Sequence, residues 1–125
     1  MNISNIKLVD MKIISKSISL DSYNYHKKHL YIINPMLPIQ MTDKEIEVLS
    51  AFMSLSGDLA NEPFSTTGRK IVKEKLSLSL GGLGNYLRSL KSKGFILGED
   101  KLYILPLLIP EHNVQIYNFR LIKNE

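Results

Sequence analysis

Asn85 and Arg88 lie three residues apart and are the side chains of this 125-residue chain best suited to reading a chemical pattern. An Asn amide offers a paired donor and acceptor that match an adenine edge, and a guanidinium offers parallel N–H groups that match guanine. Around them, residues 65–98 carry seven bases, Arg69, Lys70, Lys73, Lys75, Arg88, Lys91 and Lys93, against the single acid Glu74. Cations such as Arg69, Lys70, Lys73, Lys91 and Lys93 suit phosphate, a contact that fixes position without reading sequence. Gly82 and Gly84 join them as candidate backbone contacts, because bare backbone at a helix start lets amides approach an anion. Three glycines at positions 81, 82 and 84 each cost roughly 1 kcal/mol of helix stability relative to Ala. The expected reason is close approach to phosphate, or tight packing against a protein partner.

Two helical patterns and a hairpin must position these residues. In Lys70–Leu76 the apolar residues Ile71, Val72 and Leu76 share one helical face, and Ser77–Leu78–Ser79 interrupts the pattern with Ser79 placed to cap the next helix. The second helix carries Leu83, Tyr86, Leu87 and Leu90 on its apolar face, which leaves Gly81, Gly82, Gly84, Asn85, Arg88, Ser89 and Ser92 outward. Gly94 ends it as a left-handed cap after Lys91 and Lys93. Phe95–Leu97 and Leu102–Leu105 flank Gly98–Glu99–Asp100–Lys101, a hairpin turn. Upstream, Thr42–Asp43–Lys44–Glu45 forms a capping box for a helix whose apolar face is Ile46, Leu49, Phe52 and Met53. A loop follows, and Ser65, Thr66 or Thr67 caps the helix after it. Glu45 and Glu47 read as cap and surface residues.

The run Val72…Leu76–Ser77–Leu78–Ser79…Leu83…Leu87…Leu90…Lys93–Gly94–Phe95–Ile96, with its Lys-Gly-hydrophobic-Ile ending, resembles the MarR-type or replication-initiator-type winged helix-turn-helix. The likeness covers roughly residues 42–105, about half the chain. It implies an α+β fold of three helices plus a β-hairpin wing. The implied partner is double-stranded DNA, with the helix carrying Asn85 and Arg88 as the recognition element. Gly82–Leu83–Gly84 also resembles the helix-hairpin-helix motif, although Arg88 falls where that family has a small residue. The turn Glu99–Asp100 is acidic where a wing that enters the minor groove is usually basic, and an acidic tip repels phosphate. That feature supports the other expectation, a winged-helix adaptor in a larger assembly, polymerase-associated or virion, that does not bind DNA itself.

Both ends read as β-structure, giving one domain with an N-terminal strand and hairpin arm over 1–41, the core over 42–105 and a C-terminal strand extension over 106–125. In the first, Ile14, Lys16, Ile18 and Leu20 step by two, as do Val9, Met11 and Ile13. The polar stretch Asp21–His29 then reads as a hairpin tip before a second strand at Leu30–Ile33. The tip is either a solvated loop or an arm that touches nucleic acid through Tyr25, Lys27 and Lys28. In the last segment, Val114–Leu121 alternates like a strand. Exposed strands seek partners, so the two ends are expected to pair with each other, or to form a homodimer or protein assembly.

Charge is uneven: +3 over residues 1–41, −4 over 42–64, +6 over 65–98 and −1 over 99–125, for a net of +4. The surplus sits on the two helices described first, which points to an anionic partner. Cysteine is absent, so neither a disulfide nor a thiol nucleophile is available, and this suits a cytosolic setting. No signal peptide or membrane-spanning run is legible. His26 and His29 have the spacing of helical metal ligands but lie in apparent loop without a third ligand, so no metal site is expected. No phosphate loop or nucleophile motif occurs. The expectation is a non-enzymatic protein with no cofactor and no small-molecule substrate, located in the cytoplasm, or in host cytoplasm or virion if phage-encoded. An Ile-, Lys- and Asn-rich composition fits an AT-rich phage or plasmid genome.

Overall fold

The structure, a computed structural model, describes residues 12–124. Four helices are followed by a two-stranded antiparallel hairpin: α1 (Ser22–Ile33), α2 (Asp43–Met53), α3 (Thr66–Lys75), α4 (Leu80–Ser92), β1 (Ile96–Leu97) and β2 (Tyr103–Ile104). The mixed α+β class holds. Short 3-10 turns at Asn34–Met36, Gly57–Ala60 and Pro106–Leu108 connect or close these elements.

Helix α1 corrects the expectation of an N-terminal hairpin. Asp21 caps it by accepting from the Asn24 amide at 2.8 Å. His29 and Leu30 are buried, and half-buried His26 and Ile33 complete steps of three, one and three, a helical period. Tyr and His are scored polar in a hydropathy reading, yet their rings bury well and disguise this face. The helix lies against α2, where Leu30, Ile46, Leu49 and Phe52 are fully buried.

Helix α2 starts as expected, because the Thr42 hydroxyl accepts from the Glu45 amide at 3.2 Å while the Glu45 carboxylate accepts from the Thr42 amide at 2.8 Å. Helix α3 is capped by Ser65 and packs closely on the loop before it. A Cβ on Gly68 would stand 2.0 Å from the Pro63 carbonyl oxygen, so only glycine fits there. Val72 and Leu83 carry α3 and α4 into the common core, whereas Ile71 is 38% exposed.

The α3–α4 connection is a helix-ending motif in which Leu78 N–H bonds the Lys73 carbonyl and Ser77 N–H bonds that of Glu74. Ser77 adopts φ +53°, the left-handed region, at the position where glycine is usual. The same pair of bonds closes α4, from Phe95 to Leu90 and from Gly94 to Lys91, with Gly94 at φ +84° as expected. The hairpin pairs Ile96 with Ile104 and Leu97 with Tyr103. Its bend needs Gly98, since a Cβ there would stand 2.1 Å from the Lys101 carbonyl.

Among the described residues neither chain end forms the expected strands. Residues 12–20 are exposed and outside any strand, and so are 113–124 apart from half-buried Gln115 and Tyr117. The part of the N-terminal strand expectation that falls on residues 1–11 lies outside the described residues. Alternation alone does not make a strand, because the backbone also needs a neighbour to bond. Instead the C-terminal segment leans on α1 through side chains. Tyr25 Oη donates to the His112 carbonyl at 2.9 Å, and His29 bonds both the Tyr117 hydroxyl and, at 3.0 Å, the Leu108 carbonyl. Among the described residues no helix is long and apolar enough to cross a membrane.

Candidate nucleic-acid interface

Helix α4 has a buried side and an exposed one, with Leu80 at its start 76% exposed. Leu83 and Leu90 are buried, and Gly81, Asn85, Arg88 and Ser92, at steps of four, three and four, form an exposed stripe with Lys91 beside it. Asn85 and Arg88 are therefore brought together on solvent, as expected. They also bond each other, with Arg88 Nη1 donating to Asn85 Oδ1 at 2.8 Å.

Ser89, expected outward, turns in. Its hydroxyl donates to Glu45 Oε2 at 2.6 Å, and the Lys93 ammonium donates to Glu45 Oε1 at 2.6 Å and to the Gln40 carbonyl at 3.2 Å. Glu45 is thus no surface residue: it is 2% exposed and anchors α4 to the start of α2. Burial pushes its carboxyl up, but the hydrogen bonds from Lys93, Ser89 and Thr42 together outweigh this and hold it below the usual glutamate range. Lys93 is consequently removed from the set of phosphate-facing cations, because its charge is spent on a buried acid.

The glycines are corrected in the same way. Ser79 Oγ takes the Gly82 amide at 2.9 Å. Gly84 is the fifth residue of α4, where helical geometry commits the amide to the Leu80 carbonyl. Neither amide is available to phosphate. Gly82–Leu83–Gly84 also lies inside α4, not in a turn between helices, which removes the helix-hairpin-helix alternative. A Cβ would meet nothing within 4 Å at Gly81 or Gly84, so internal packing does not explain them either.

On α3, Arg69 and Lys70 are exposed and Lys73 half-buried. Among the described residues four ion pairs form: Lys27–Glu47, Lys44–Glu47, Lys93–Glu45 and Lys101–Glu62. None of them involves Arg69, Lys70, Lys73, Arg88 or Lys91. Lys75 instead stacks over the Tyr23 ring at 4.5 Å, linking α3 to α1.

The expected arm is displaced. Tyr25, Lys27 and Lys28 sit on α1, with Tyr25 committed to His112, Lys27 3.9 Å from Glu47, and Lys28 exposed. They form no hairpin tip. His26 and His29 do share a helix, but His26 Nδ1 bonds the Ser22 carbonyl and both His29 nitrogens are engaged. Burial, countered by the Leu108 carbonyl, lowers the His29 pKa and favours the neutral ring. No group of three potential metal ligands occurs among the described residues. At the hairpin turn, Glu99 and Asp100 are exposed, and Lys101 reaches Glu62 at 3.7 Å, tying the turn to the loop before α3.

No family model, curated protein or solved structure matches this chain.

Proposed function

We propose that this chain is a winged helix-turn-helix protein that binds double-stranded DNA, as a transcriptional regulator or replication accessory. Helix α4 is the recognition helix and the β1–β2 hairpin the wing. The observation that carries the reading is the surplus of positive charge on α3 and α4, where Glu74 is the single acid. Among the described residues no carboxylate stands within 4.0 Å of Arg69, Lys70, Lys73, Arg88 or Lys91, while Lys27 and Lys44 share Glu47, Lys93 pairs with Glu45 and Lys101 with Glu62. Cations of one sign without a carboxylate partner suit a polyanion.

The test is binding of the purified protein to a labelled random duplex across a salt series. With Arg69, Lys70, Lys73 and Lys91 on phosphates, the slope of log affinity against log salt is expected near −3.6, a fall of about 150-fold between about 50 and 200 mM. Lys73→Ala should weaken all sequences alike and reduce the slope by about one contact. Absence of binding at the lower salt overturns the reading.

A second reading, a protein-interaction adaptor, draws support from the chain ends. Ile14, Ile116 and Leu121 are 83%, 82% and 102% exposed, alongside an acidic hairpin turn. It predicts a stable homodimer or partner complex that Ile116→Lys with Leu121→Lys disrupts. A monomeric mass for the unaltered protein at micromolar concentration counts against self-association.

A further inference from the structure

We propose that Asn85 reads no base itself but positions Arg88, so that the exposed stripe of α4 recognises a guanine. The inference rests on the DNA-binding reading and specifies what its recognition helix reads. Adenine recognition by asparagine needs both ends of the amide, Oδ1 to accept from one ring substituent and Nδ2 to donate to the ring. In this chain Oδ1 already accepts from Arg88 Nη1 at 2.8 Å. One of the two lone pairs of that oxygen is thereby used and the amide is turned toward Arg88, so a paired contact to adenine would have to share the oxygen with the guanidinium.

Arg88 loses much less. A guanidinium carries five N–H donors in a fixed fork, so one bond to Asn85 leaves enough of the fork for the two acceptors of a guanine edge. Among the described residues no carboxylate competes for Arg88, and Asn85 is the partner that orients it. A long side chain held in one direction has less freedom to lose on binding. Access is open, since the preceding turn presents Gly81 and Gly84, where no side chain walls off the pair.

The experiment is selection of preferred sites from a random duplex pool by the full chain, followed by affinity measurements on the selected site and on its single-base variants. Four variants are compared with the unaltered protein: Asn85→Ala, Arg88→Ala, the double variant and Asn85→Asp. The unaltered protein is expected to enrich guanine at one position. Arg88→Ala should lower that preference about 10-fold or more, and Asn85→Ala should lower it about 3- to 10-fold at the same position. The double variant should be no worse than Arg88→Ala. Asn85→Asp keeps the acceptor, so it should retain the guanine preference while its added negative charge weakens binding to every sequence. A merely structural role for Asn85 would change overall affinity or melting temperature and leave base preference alone.

Loss of an adenine at a separate position on Asn85→Ala, with effects that add in the double variant, overturns the inference and leaves DNA binding standing. So does an unchanged guanine preference in Asn85→Ala, or salt-dependent binding with no base preference at all. Absence of any binding at low salt overturns both.

Discussion

Replacing Lys93 by Met tests whether the contact between α2 and α4 is as deeply buried as it looks. The substitution keeps most of the aliphatic stem and removes the ammonium that donates to Glu45 at 2.6 Å. Deleting one partner of a buried ion pair costs about 3–5 kcal/mol, because the remaining charge is left without compensation. Here Ser89 and the Thr42 amide still donate to Glu45, and the Lys93 side chain is 25% exposed. A loss of about 2–3 kcal/mol is therefore expected, just below that range. For 125 residues this corresponds to a fall in Tm of about 8–11 °C.

The pH dependence sharpens the test. In the unaltered protein the Glu45 carboxyl is held below its ordinary range in the folded state only. The unfolded chain therefore takes up that proton first. The associated stability is complete above the ordinary glutamate range and is lost as pH falls through the folded value. In Lys93→Met burial is opposed by fewer hydrogen bonds, the carboxyl moves up, and protonation removes the uncompensated charge. The deficit should be largest at pH 7 and narrow toward about pH 4, followed by circular dichroism in urea or heat. Glu45→Gln added to Lys93→Met should recover part of the loss. An equal deficit at both pH values, or a deficit below about 0.5 kcal/mol at pH 7, would mean the pair behaves as a surface contact.

Other expectations are local. Ser77→Gly relieves a left-handed backbone at φ +53° and should stabilise by about 0.5–1 kcal/mol after allowing for the looser unfolded chain, raising Tm by about 2–4 °C. Gly68→Ala and Gly84→Ala should move in opposite directions under chemical denaturation. The first drives a methyl into the Pro63 carbonyl and should cost about 1–3 kcal/mol; the second meets nothing within 4 Å and should gain about 1 kcal/mol. His29 is kept neutral by burial, so the unfolded chain protonates first. Its contribution to stability should be complete above about pH 7 and decline as pH falls below about 6.5, a slope in Tm that His29→Asn removes.

Helix α4 shows how far local pattern reaches. The spacing of Leu83, Tyr86, Leu87 and Leu90 located the helix and its buried face, Ser79 and Gly94 marked its ends, and Asn85 and Arg88 were recognisable as outward from the same period. The hairpin and the capping box of α2 were equally legible, because turn and cap preferences act within four residues. Helix α1 was not. Asp21 is a sound cap, but Tyr23, Tyr25, His26 and His29 hide the apolar face. The β-branched residues around them pointed to strands that find no backbone partner within the described chain.

What the sequence by itself determined is therefore the part written in short-range preferences: α2, α3 and α4, the turn between the last two, the hairpin and the concentration of cations on α3 and α4. Tertiary structure decided which of those residues remain available. Lys93 and Ser89 looked like their neighbours Lys91 and Ser92 until α2 brought Glu45 beneath them. Burial in low dielectric makes an unpaired carboxylate so costly that it draws the nearest donors inward. Arg88, one residue from Ser89 but on the other side of the helix, stays outside. No local period records that choice, because it depends on a residue 44 positions away in sequence.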